Sequence, residues 1–458
     1  MPYQSINPAT NTLIKTWPEH NNQQVEAALA TADALYHSSW CKGDISPRLQ
    51  VLHKLAELIE SQVDELAAIA SREMGKLINQ SRGEVRLCAR IARYYADNAE
   101  KFLAPVPYSS DLGDAWVEHH PIGVLLAVEP WNFPYYQLMR VLAPNLAAGN
   151  PVLAKHAPNV PHCASRFAEL VEQAGAPAGA WTNLFISDQQ VSQLLADARI
   201  QGAALTGSER AGSAVAAQAG KHLKKTTLEL GGNDVFVVLD DCDLDKAVTA
   251  GANARLSNCG QVCTAAKRFL IHEKVADLFI EKFIAAFNGV RIGDPLDEQT
   301  TLGPLSSASA RARLEKQVEQ ALAHGARLIT GGAAVQGPGC FYQPTILTDI
   351  HRDNPAWYSE FFGPVAQLYI FKDDDEAVAI ANDSPFGLGG AIFSSDIARA
   401  RRMASRIETG MVYINSASDT AAELPFGGVK RSGFGRELSD LGIKEFINQK
   451  LVVVSHDG

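Results

Sequence analysis

Residues 258–264 (NCGQVCT) contain the strongest candidate nucleophile of the chain. Cys263 follows a Gly-Gln turn, and glycine there lets the backbone approach a ligand closely. A thiolate is a strong nucleophile when a neighbouring group lowers its pKa or a base lies nearby. The alternative is a buried and inert core cysteine, which is the commoner state of a free cysteine.

Glu229 is the candidate general base. It stands between two leucines and precedes a flexible Gly-Gly pair in LELGGN, residues 228–233. An apolar setting raises the pKa of a carboxyl group towards neutrality, where it can accept a proton from water. The alternative is a glutamate at a strand end that simply reaches solvent.

Asn132 belongs to the segment EPWNFP, residues 129–134, which follows an apolar run at 122–128. Ligands of open α/β sheets bind beyond the carboxyl ends of the strands. The Asn132 amide could therefore donate a hydrogen bond to a developing oxyanion. A structural turn with two prolines and packed aromatic residues is the alternative.

Gly207 and Ser208 lie in TGSERAG, residues 206–212, where an apolar run passes into an amphipathic stretch. Glycines at a helix N-terminus suit the binding of a pyrophosphate. The segment does not match the G-x-G-x-x-G fingerprint, and a plain N-cap by Ser208 is the alternative.

Elements that could position these residues follow a regular order. Amphipathic helical periodicity dominates the first hundred residues, where a long helical stretch is expected to begin at Ser46-Pro47 with the serine as its cap. From residue 121 short apolar runs alternate with amphipathic stretches, which predicts parallel sheets covered by helices. The expected strands include 122–128, 152–154, 183–186, 203–206, 235–239, 269–272, 365–371, 390–393 and 412–415.

Composition limits the class of protein. The chain has 458 residues, enough for two or more domains, and a formal charge of −10 without a basic stretch, so no nucleic-acid or membrane partner is expected. The N-terminus lacks the pattern of a signal peptide, and no apolar run is long enough to cross a bilayer. The seven cysteines are scattered, which favours a reducing compartment. A cytoplasmic protein is expected.

Taken together and in order, the segments resemble the aldehyde dehydrogenase superfamily over nearly the whole chain. The matching segments are PWNFP at 130–134, VLAK ending at Lys155, TGSERAG at 206–212, LELGG at 228–232, NCGQVC at 258–263, EFFGP at 360–364 and PFGGVKRSGFGRE at 425–437.

The resemblance implies a role for each catalytic position. Cys263 attacks the aldehyde carbon, Asn132 and the cysteine's own N–H stabilise the oxyanion, and Glu229 activates the water that hydrolyses the thioester. It also implies a cofactor site, and no metal site is predicted. Lys155 resembles the residue that holds the adenosine ribose, Gly207 and Ser208 face the pyrophosphate, Glu360 binds the nicotinamide ribose, and Phe362 and Trp131 line the same cleft.

The chain departs from the family pattern beside Lys155. Members that prefer NAD often carry a glutamate three residues after this lysine, and its charge would repel a 2′-phosphate. Pro158 stands there instead. The expectation is NAD as the main cofactor, with NADP tolerated.

Arg140 and Ser257 are the candidate substrate residues. Members that oxidise succinate semialdehyde resemble this chain in having an arginine at position 140, and a guanidinium can hold the distal carboxylate of an ω-oxo acid. They also carry a second arginine where this chain has Ser257. Asp419 would be unfavourable near a carboxylate. An arginine that pairs with a nearby acid at the surface is the alternative for Arg140.

The expected activity is the NAD(P)-dependent oxidation of succinate semialdehyde to succinate. The alternatives are another small aliphatic or ω-carboxy aldehyde such as glutarate semialdehyde, and a silent member with a structural role. A CoA-acylating enzyme is less expected because such members generally do without the glutamate present here as Glu229.

The expected architecture is α/β, with two parallel-sheet domains and a small β extension. Residues 1–102 and 122–231 are expected to form the NAD(P)-binding domain, and 232–435 the catalytic domain. Residues 103–121 and 436–458 are expected to drive assembly into a homodimer or homotetramer, because 114–120 and 451–454 look like exposed strands.

Overall fold

The computed structural model describes residues 3–455. Its α-helices are α1 Asn22–Tyr36, α2 Ser39–Lys42, α3 Ser46–Ser61, α4 Val63–Met74, α5 Ile78–Phe102, α6 Tyr136–Ala148, α7 Pro161–Gln173, α8 Asp188–Ala196, α9 Glu209–Lys221, α10 Leu244–Leu256, α11 Ala276–Asn288, α12 Ala308–Ala323, α13 Asp374–Asn382, α14 Ile397–Ala404 and α15 Ser439–Ile443.

The strands are β1 Tyr3–Asn7, β2 Thr12–Trp17, β3 Val106–Tyr108, β4 Gly113–Pro121, β5 Val124–Glu129, β6 Val152–His156, β7 Trp181–Asn183, β8 Ile200–Thr206, β9 Lys225–Glu229, β10 Val235–Val238, β11 Arg268–His272, β12 Arg327–Thr330, β13 Thr345–Thr348, β14 Val365–Phe371, β15 Phe386–Gly387, β16 Gly390–Phe393, β17 Tyr413–Ile414, β18 Val429–Lys430, β19 Gly433–Phe434 and β20 Ile447–Ser455.

Two mainly parallel sheets organise the chain. The first has the order β19-β9-β8-β5-β6-β7, and the second has the order β12-β13-β14-β11-β10-β16-β17. Strands such as β5 and β10 are apolar and buried on both faces, as parallel strands covered by helices must be. The predicted α/β class is confirmed.

A third sheet joins the two segments that the sequence marks as strand-forming. β20 pairs antiparallel with β4, whose other edge pairs with β3. Within 436–458 only β20 belongs to this sheet, while Leu438, Ile443 and Phe446 are buried in the core. The last three residues of that segment and the first two of the chain lie outside the described residues.

Domain limits remain a prediction, although the strand order bears on them. The expected division at 231–232 falls in the loop between β9 and β10. β19 lies inside the range expected for the catalytic domain but pairs with β9 of the first sheet. Its pairing depends on a return of the chain that periodicity does not reveal.

Several local predictions were wrong. The helical stretch from Ser46 is divided at Gln62 into α3 and α4, and Ser46 is the first helical residue, not the cap. Asp44 Oδ1 accepts from the Ser46 N–H instead. Residues 184–186 do not extend β7, which begins earlier at Trp181. The β1–β2 hairpin was not predicted.

Candidate active site

Cys263 follows α10 and a tight turn that is unusual in its backbone. Asn258, Cys259 and Gly260 all have positive φ angles, of 50°, 54° and 73°. Two consecutive non-glycine residues in this region are strained. The Asn258 side chain supports the turn, because its Nδ2 donates to the Asn132 carbonyl oxygen at 2.9 Å. The nucleophile loop and the PWNFP segment are thereby joined.

Glycine has a different purpose here from the one expected. A Cβ on Gly260 would collide with the Gly363 carbonyl oxygen, so this glycine permits a close approach of protein backbone. The Gly-Gly pair after Glu229 likewise permits a close approach of other protein groups. A Cβ on Gly231 would lie 2.5 Å from Glu360 Oε2, and one on Gly232 would lie 2.5 Å from the Cys263 carbonyl oxygen.

Lys267 binds the backbone of the nucleophile loop, a contact that the sequence did not predict. Its buried ammonium donates to the carbonyl oxygens of Cys263 and Val262 and lies 3.1 Å from Glu360 Oε1. One lysine therefore positions both the cysteine backbone and an expected cofactor residue. Its place four residues after Cys263 was the only available signal.

Cys263 lines two cavities. The first, of about 500 Å³, is also lined by Tyr136, Arg140, Ser257 and Asp419. The second, of about 260 Å³, contains the expected cofactor residues. Its wall includes Trp131, Asn132, Thr206, Gly207, Ser208, Gly231, Arg313, Glu360 and Phe362. The thiol is thus placed where ligands from two sides can meet.

Asn132 and Glu229 are both buried near the cysteine. Asn132 Nδ2 donates to the Gln261 carbonyl oxygen at 3.1 Å, which leaves the second hydrogen of its amide group for another acceptor. Glu229 is 2% exposed, and neither carboxyl oxygen accepts a hydrogen bond from a described residue. It does not reach solvent.

Arg140 is buried rather than superficial. It lies in the middle of α6, a helix whose residues are all buried. Its guanidinium forms an ion pair with Glu437 and donates to Thr206 Oγ1 at 2.9 Å and to the Tyr136 hydroxyl at 3.2 Å. Sequence reasoning did not anticipate Glu437 as its partner, because the two residues are distant in the chain.

Burial in the site raises the pKa values of both Cys263 and Glu229. Burial raises the pKa of the Cys263 thiol to about 12, against the opposing charges of Lys267 and Arg140. Burial and then Glu437 raise the pKa of Glu229 well above its ordinary value, although Arg140 opposes them. Burial therefore opposes the ionisation of both groups before a substrate binds.

The wall of the second cavity carries groups suited to the phosphate and nicotinamide-ribose parts of a dinucleotide. Ser208 caps α9, and its Oγ accepts from the Ala211 N–H, so first-turn amides can face a phosphate. Glu360 offers carboxylate oxygens to ribose hydroxyls, and Trp131 packs against Phe362 with ring centroids 5.8 Å apart. Arg313, from α12, is a further cation that the sequence did not indicate.

Lys155 stands apart from that cavity wall. It lies near the end of β6, beside Val128 of β5, and its Nζ is 3.7 Å from Asp188 Oδ1. The carboxyl ends of both strands face the same edge of the sheet, which is where a longer ligand would continue. No group of metal-binding side chains and no helix able to cross a membrane occurs within residues 3–455.

Comparison with known proteins identifies the family. The model of the aldehyde dehydrogenase family matches residues 1–452. The chain belongs to the aldehyde dehydrogenase family. The resemblance inferred from the motifs is confirmed, as is the expectation of an oxidoreductase that uses NAD(P) and an aldehyde.

Similar aldehyde dehydrogenases carry more specific names. A protein named succinate-semialdehyde dehydrogenase [NADP(+)], from Deinococcus radiodurans, is 48% identical over 98% of this chain and 94% of its own. One from Escherichia coli, named for NAD(P)+, is 44% identical over 98% of this chain and 97% of its own. The crystal structure of succinic semialdehyde dehydrogenase from Streptococcus pyogenes with NADP+ is 49% identical, with a TM-score of 0.98 over 99% of this chain and 100% of that one.

Proposed function

We propose that this chain oxidises succinate semialdehyde to succinate with a nicotinamide dinucleotide as electron acceptor. The observation that carries the proposal is the position of Cys263 in the walls of both cavities. One cavity has an arginine in its wall for the distal carboxylate, and the other has the residues expected for the dinucleotide. The names of the similar proteins support the same substrate.

The reaction begins at Cys263. Its sulfur forms a bond to the aldehyde carbon as the thiol loses its proton to water in the cavity, and the carbonyl oxygen becomes an oxyanion. The free amide hydrogen of Asn132 and the backbone N–H of Cys263 stabilise that charge. A bound nicotinamide would accept the hydride that leaves the same carbon, and a thioester remains on Cys263.

Glu229 acts in the second half of the reaction, the hydrolysis of the thioester. Its carboxylate removes a proton from water, the water oxygen attacks the thioester carbon, and the carbon–sulfur bond breaks to release Cys263 as a thiolate, which then takes up a proton from solvent. Burial without a hydrogen-bond partner raises the proton affinity of Glu229, which suits a general base near neutral pH.

Arg140 and Ser257 are proposed to select the substrate. Arg140 has five N–H donors, of which Thr206 and Tyr136 take one each while Glu437 faces Nε. The remaining donors are proposed to bind the substrate carboxylate, with Ser257 as a neutral contact. Arg90 lines the same cavity and forms no hydrogen bond or ion pair with any described residue, so it is a second candidate cation.

We also propose that NADP is accepted at least as well as NAD, which shifts the preference expected from the sequence. Pro158 adds no negative charge after Lys155. Asp188, the acid that faces Lys155, is 97% exposed and can turn into solvent when a phosphate binds. The names of the similar proteins support use of NADP.

Assembly through the third sheet is the remaining proposal. β20 has a free edge within the described chain, and exposed apolar side chains of Leu451, Val453 and Val454 lie along it. A homodimer or homotetramer built by pairing or packing of this sheet would cover them.

A substrate panel tests the function directly. Purified protein is assayed with NAD and NADP against succinate semialdehyde, glutarate semialdehyde and butanal. We expect the highest kcat/KM for succinate semialdehyde. A higher kcat/KM for glutarate semialdehyde or butanal would contradict succinate semialdehyde as the substrate. Product formation only with coenzyme A would indicate acyl transfer. No reduction of either cofactor would favour a structural role.

A further inference from the structure

Glu129 is a second buried acid close to the water-activating glutamate, and the mechanism above does not use it. It ends β5, just as Thr206 ends β8 and Glu229 ends β9. These three strands are adjacent and parallel, and Thr206 is in register with Glu229. Glu129 follows Val128, the partner of Leu205, so it is level with Thr206. Thr206 therefore lies on the strand between the two that carry Glu129 and Glu229, and neighbouring strands are about 4.8 Å apart.

The carboxyl group of Glu129 is buried without a hydrogen-bond partner. It is 3% exposed, and neither oxygen accepts a hydrogen bond from the described residues. An unpaired buried carboxylate is costly, so the ionised form of Glu129 is a strong proton acceptor. Burial and then Glu437 raise its pKa well above the ordinary value, while Arg140 and the Thr206 hydroxyl act against them.

The hydroxyl group of Thr206 has the hydrogen-bonding capacity to relay a proton. Its Oγ1 accepts a hydrogen bond from Arg140 Nη2 at 2.9 Å. A hydroxyl has one donor hydrogen and two acceptor lone pairs, so it can still donate once and accept once more. Its O–H hydrogen is available to one glutamate and its remaining lone pair to the other.

Other charged groups complete the surroundings of the two acids. Arg140 on α6 faces both, as does Glu437, and Arg436 and Glu445 act on Glu229. His156 on β6 contacts Glu129 only at its backbone carbonyl oxygen, not at its carboxyl group. Two acids and one bridging hydroxyl thus stand beside a single buried arginine that is already paired with Glu437.

We propose that Glu129 is a positioning residue that shares a proton with Glu229 through the Thr206 hydroxyl. This rests on the proposed role of Glu229 as the base of thioester hydrolysis. After Glu229 has taken the water proton, its O–H passes a proton to Thr206 Oγ1 and the Thr206 hydroxyl passes its own to the ionised Glu129. Two O–H bonds break and two form, and Glu229 is again a carboxylate. Thr206 lines the cofactor cavity, so the stored proton leaves by the same hydroxyl when that cavity opens to water.

The test separates the two half-reactions. Glu129→Gln and Thr206→Val keep the side-chain volumes but remove the proton acceptor and the hydroxyl, respectively. For Glu129→Gln we expect an unchanged burst of NAD(P)H, and for both variants a steady-state kcat about tenfold lower, which is less than the full contribution of a general base because Glu229 is retained. In Glu129→Gln the acid limb of the kcat–pH profile moves to lower pH, because a neighbouring negative charge no longer opposes ionisation of Glu229. Thr206→Ser restores the hydroxyl and with it the turnover that Thr206→Val loses.

Controls keep the outcome decisive. A wild-type kcat and pH profile in Glu129→Gln would overturn the proposal, and so would an equal loss of burst and turnover, which indicates a structural role. If Glu129→Gln does not fold, the Thr206→Val and Thr206→Ser pair decides. Glu229→Gln, assayed in parallel, should give a burst without turnover. A wild-type turnover there would refute the proposed function itself, independently of Glu129.

Discussion

The thiol of Cys263 is surrounded by groups that oppose one another. Burial disfavours the thiolate, Lys267 and Arg140 favour it, and the net effect is a pKa of about 12. At neutral pH the free enzyme therefore holds a protonated thiol, which resists oxidation because the thiolate is the reactive form. Approach of substrate and cofactor must supply the ionisation.

This setting predicts slow alkylation of the free enzyme. Below its pKa, a thiol gains about tenfold in thiolate per pH unit, so the rate with iodoacetamide should still be rising steeply between pH 9 and 10. A cysteine in an unstructured peptide, with an ordinary pKa of about 8.5, should level off in the same range. Labelling of the Cys263 peptide is measured by mass spectrometry, with Cys263→Ser for background. A plateau near pH 8.5 would contradict the effect of burial.

Arg140 combines a structural ion pair with a proposed substrate contact. Replacing it alone leaves Glu437 buried and unpaired, which costs about 3–5 kcal/mol and confuses folding with specificity. In the paired variant Arg140→Gln with Glu437→Gln, kcat/KM for succinate semialdehyde should fall about ten- to hundredfold relative to butanal. Arg90→Ala, assayed with the same two aldehydes, tests the second candidate cation of the cavity. Equal losses for both aldehydes would remove Arg140 from substrate selection.

Pro158 offers a test of cofactor choice. Pro158→Glu places a carboxylate three residues after Lys155, where it should repel a 2′-phosphate. We expect kcat/KM for NADP to fall about tenfold relative to that for NAD, and Pro158→Gln to have little effect on the ratio. Steady-state kinetics with each cofactor give the ratio. An unchanged ratio in Pro158→Glu would show that the phosphate binds elsewhere.

At the scale of elements, α6 depends on a buried ion pair outside the helix. Glu84 Oε1 accepts from the N–H groups of Tyr135 and Tyr136 at 2.8 and 3.0 Å, and so satisfies the helix start. Lys76 pairs with the same carboxylate and lies 3.6 Å from the Phe133 ring centroid. α6 carries Arg140, and the PWNFP segment leads into it, so α5 helps to position the substrate cavity.

Glu84→Ala should therefore destabilise the protein strongly. It leaves Lys76 as an unpaired buried charge and two amides without an acceptor, at a cost of about 3–5 kcal/mol. Glu57, which pairs with Lys54 at the surface, is the matched control, and Glu57→Ala should cost less than about 1 kcal/mol. Denaturant titrations measure both. Equal midpoints would show that the buried pair contributes no stability.

At the scale of the whole molecule, the β20-β4-β3 sheet leaves apolar side chains exposed on part of its surface. Its strands carry exposed apolar side chains that a soluble monomer would leave in water. The list comprises Val106, Tyr108, Leu451, Val453 and Val454. Because β20 and β4 bring together distant parts of the chain, the proposed assembly would depend on the completed fold.

Charging this surface should weaken assembly. The double variant Leu451→Lys and Val453→Lys places two cations on one face of β20, since alternate residues of a strand share a face. We expect a smaller oligomer by light scattering after gel filtration. Leu223→Lys is the control, because Leu223 is 94% exposed and lies outside the sheet. An unchanged mass would place the subunit contact elsewhere.

Much of the fold followed from periodicity. Strands β14 and β16 agree with their predicted bounds, because apolar runs record which strands are buried. The hairpin β1–β2 and the pairing of β19 with β9 escaped prediction. β2 is almost wholly exposed and so lacks an apolar pattern, whereas β19 has only two residues and pairs with a strand far away in the chain.

The candidate nucleophile, base and oxyanion donor were predicted from the sequence alone, because each lies in a local motif that resembles the family. The ion pair of Arg140 with Glu437, the support of Cys263 by Lys267 and the row of Glu129, Thr206 and Glu229 required the tertiary structure. Burial and the distances between charges determine how readily these groups ionise. Both quantities depend on which distant segments fold against one another.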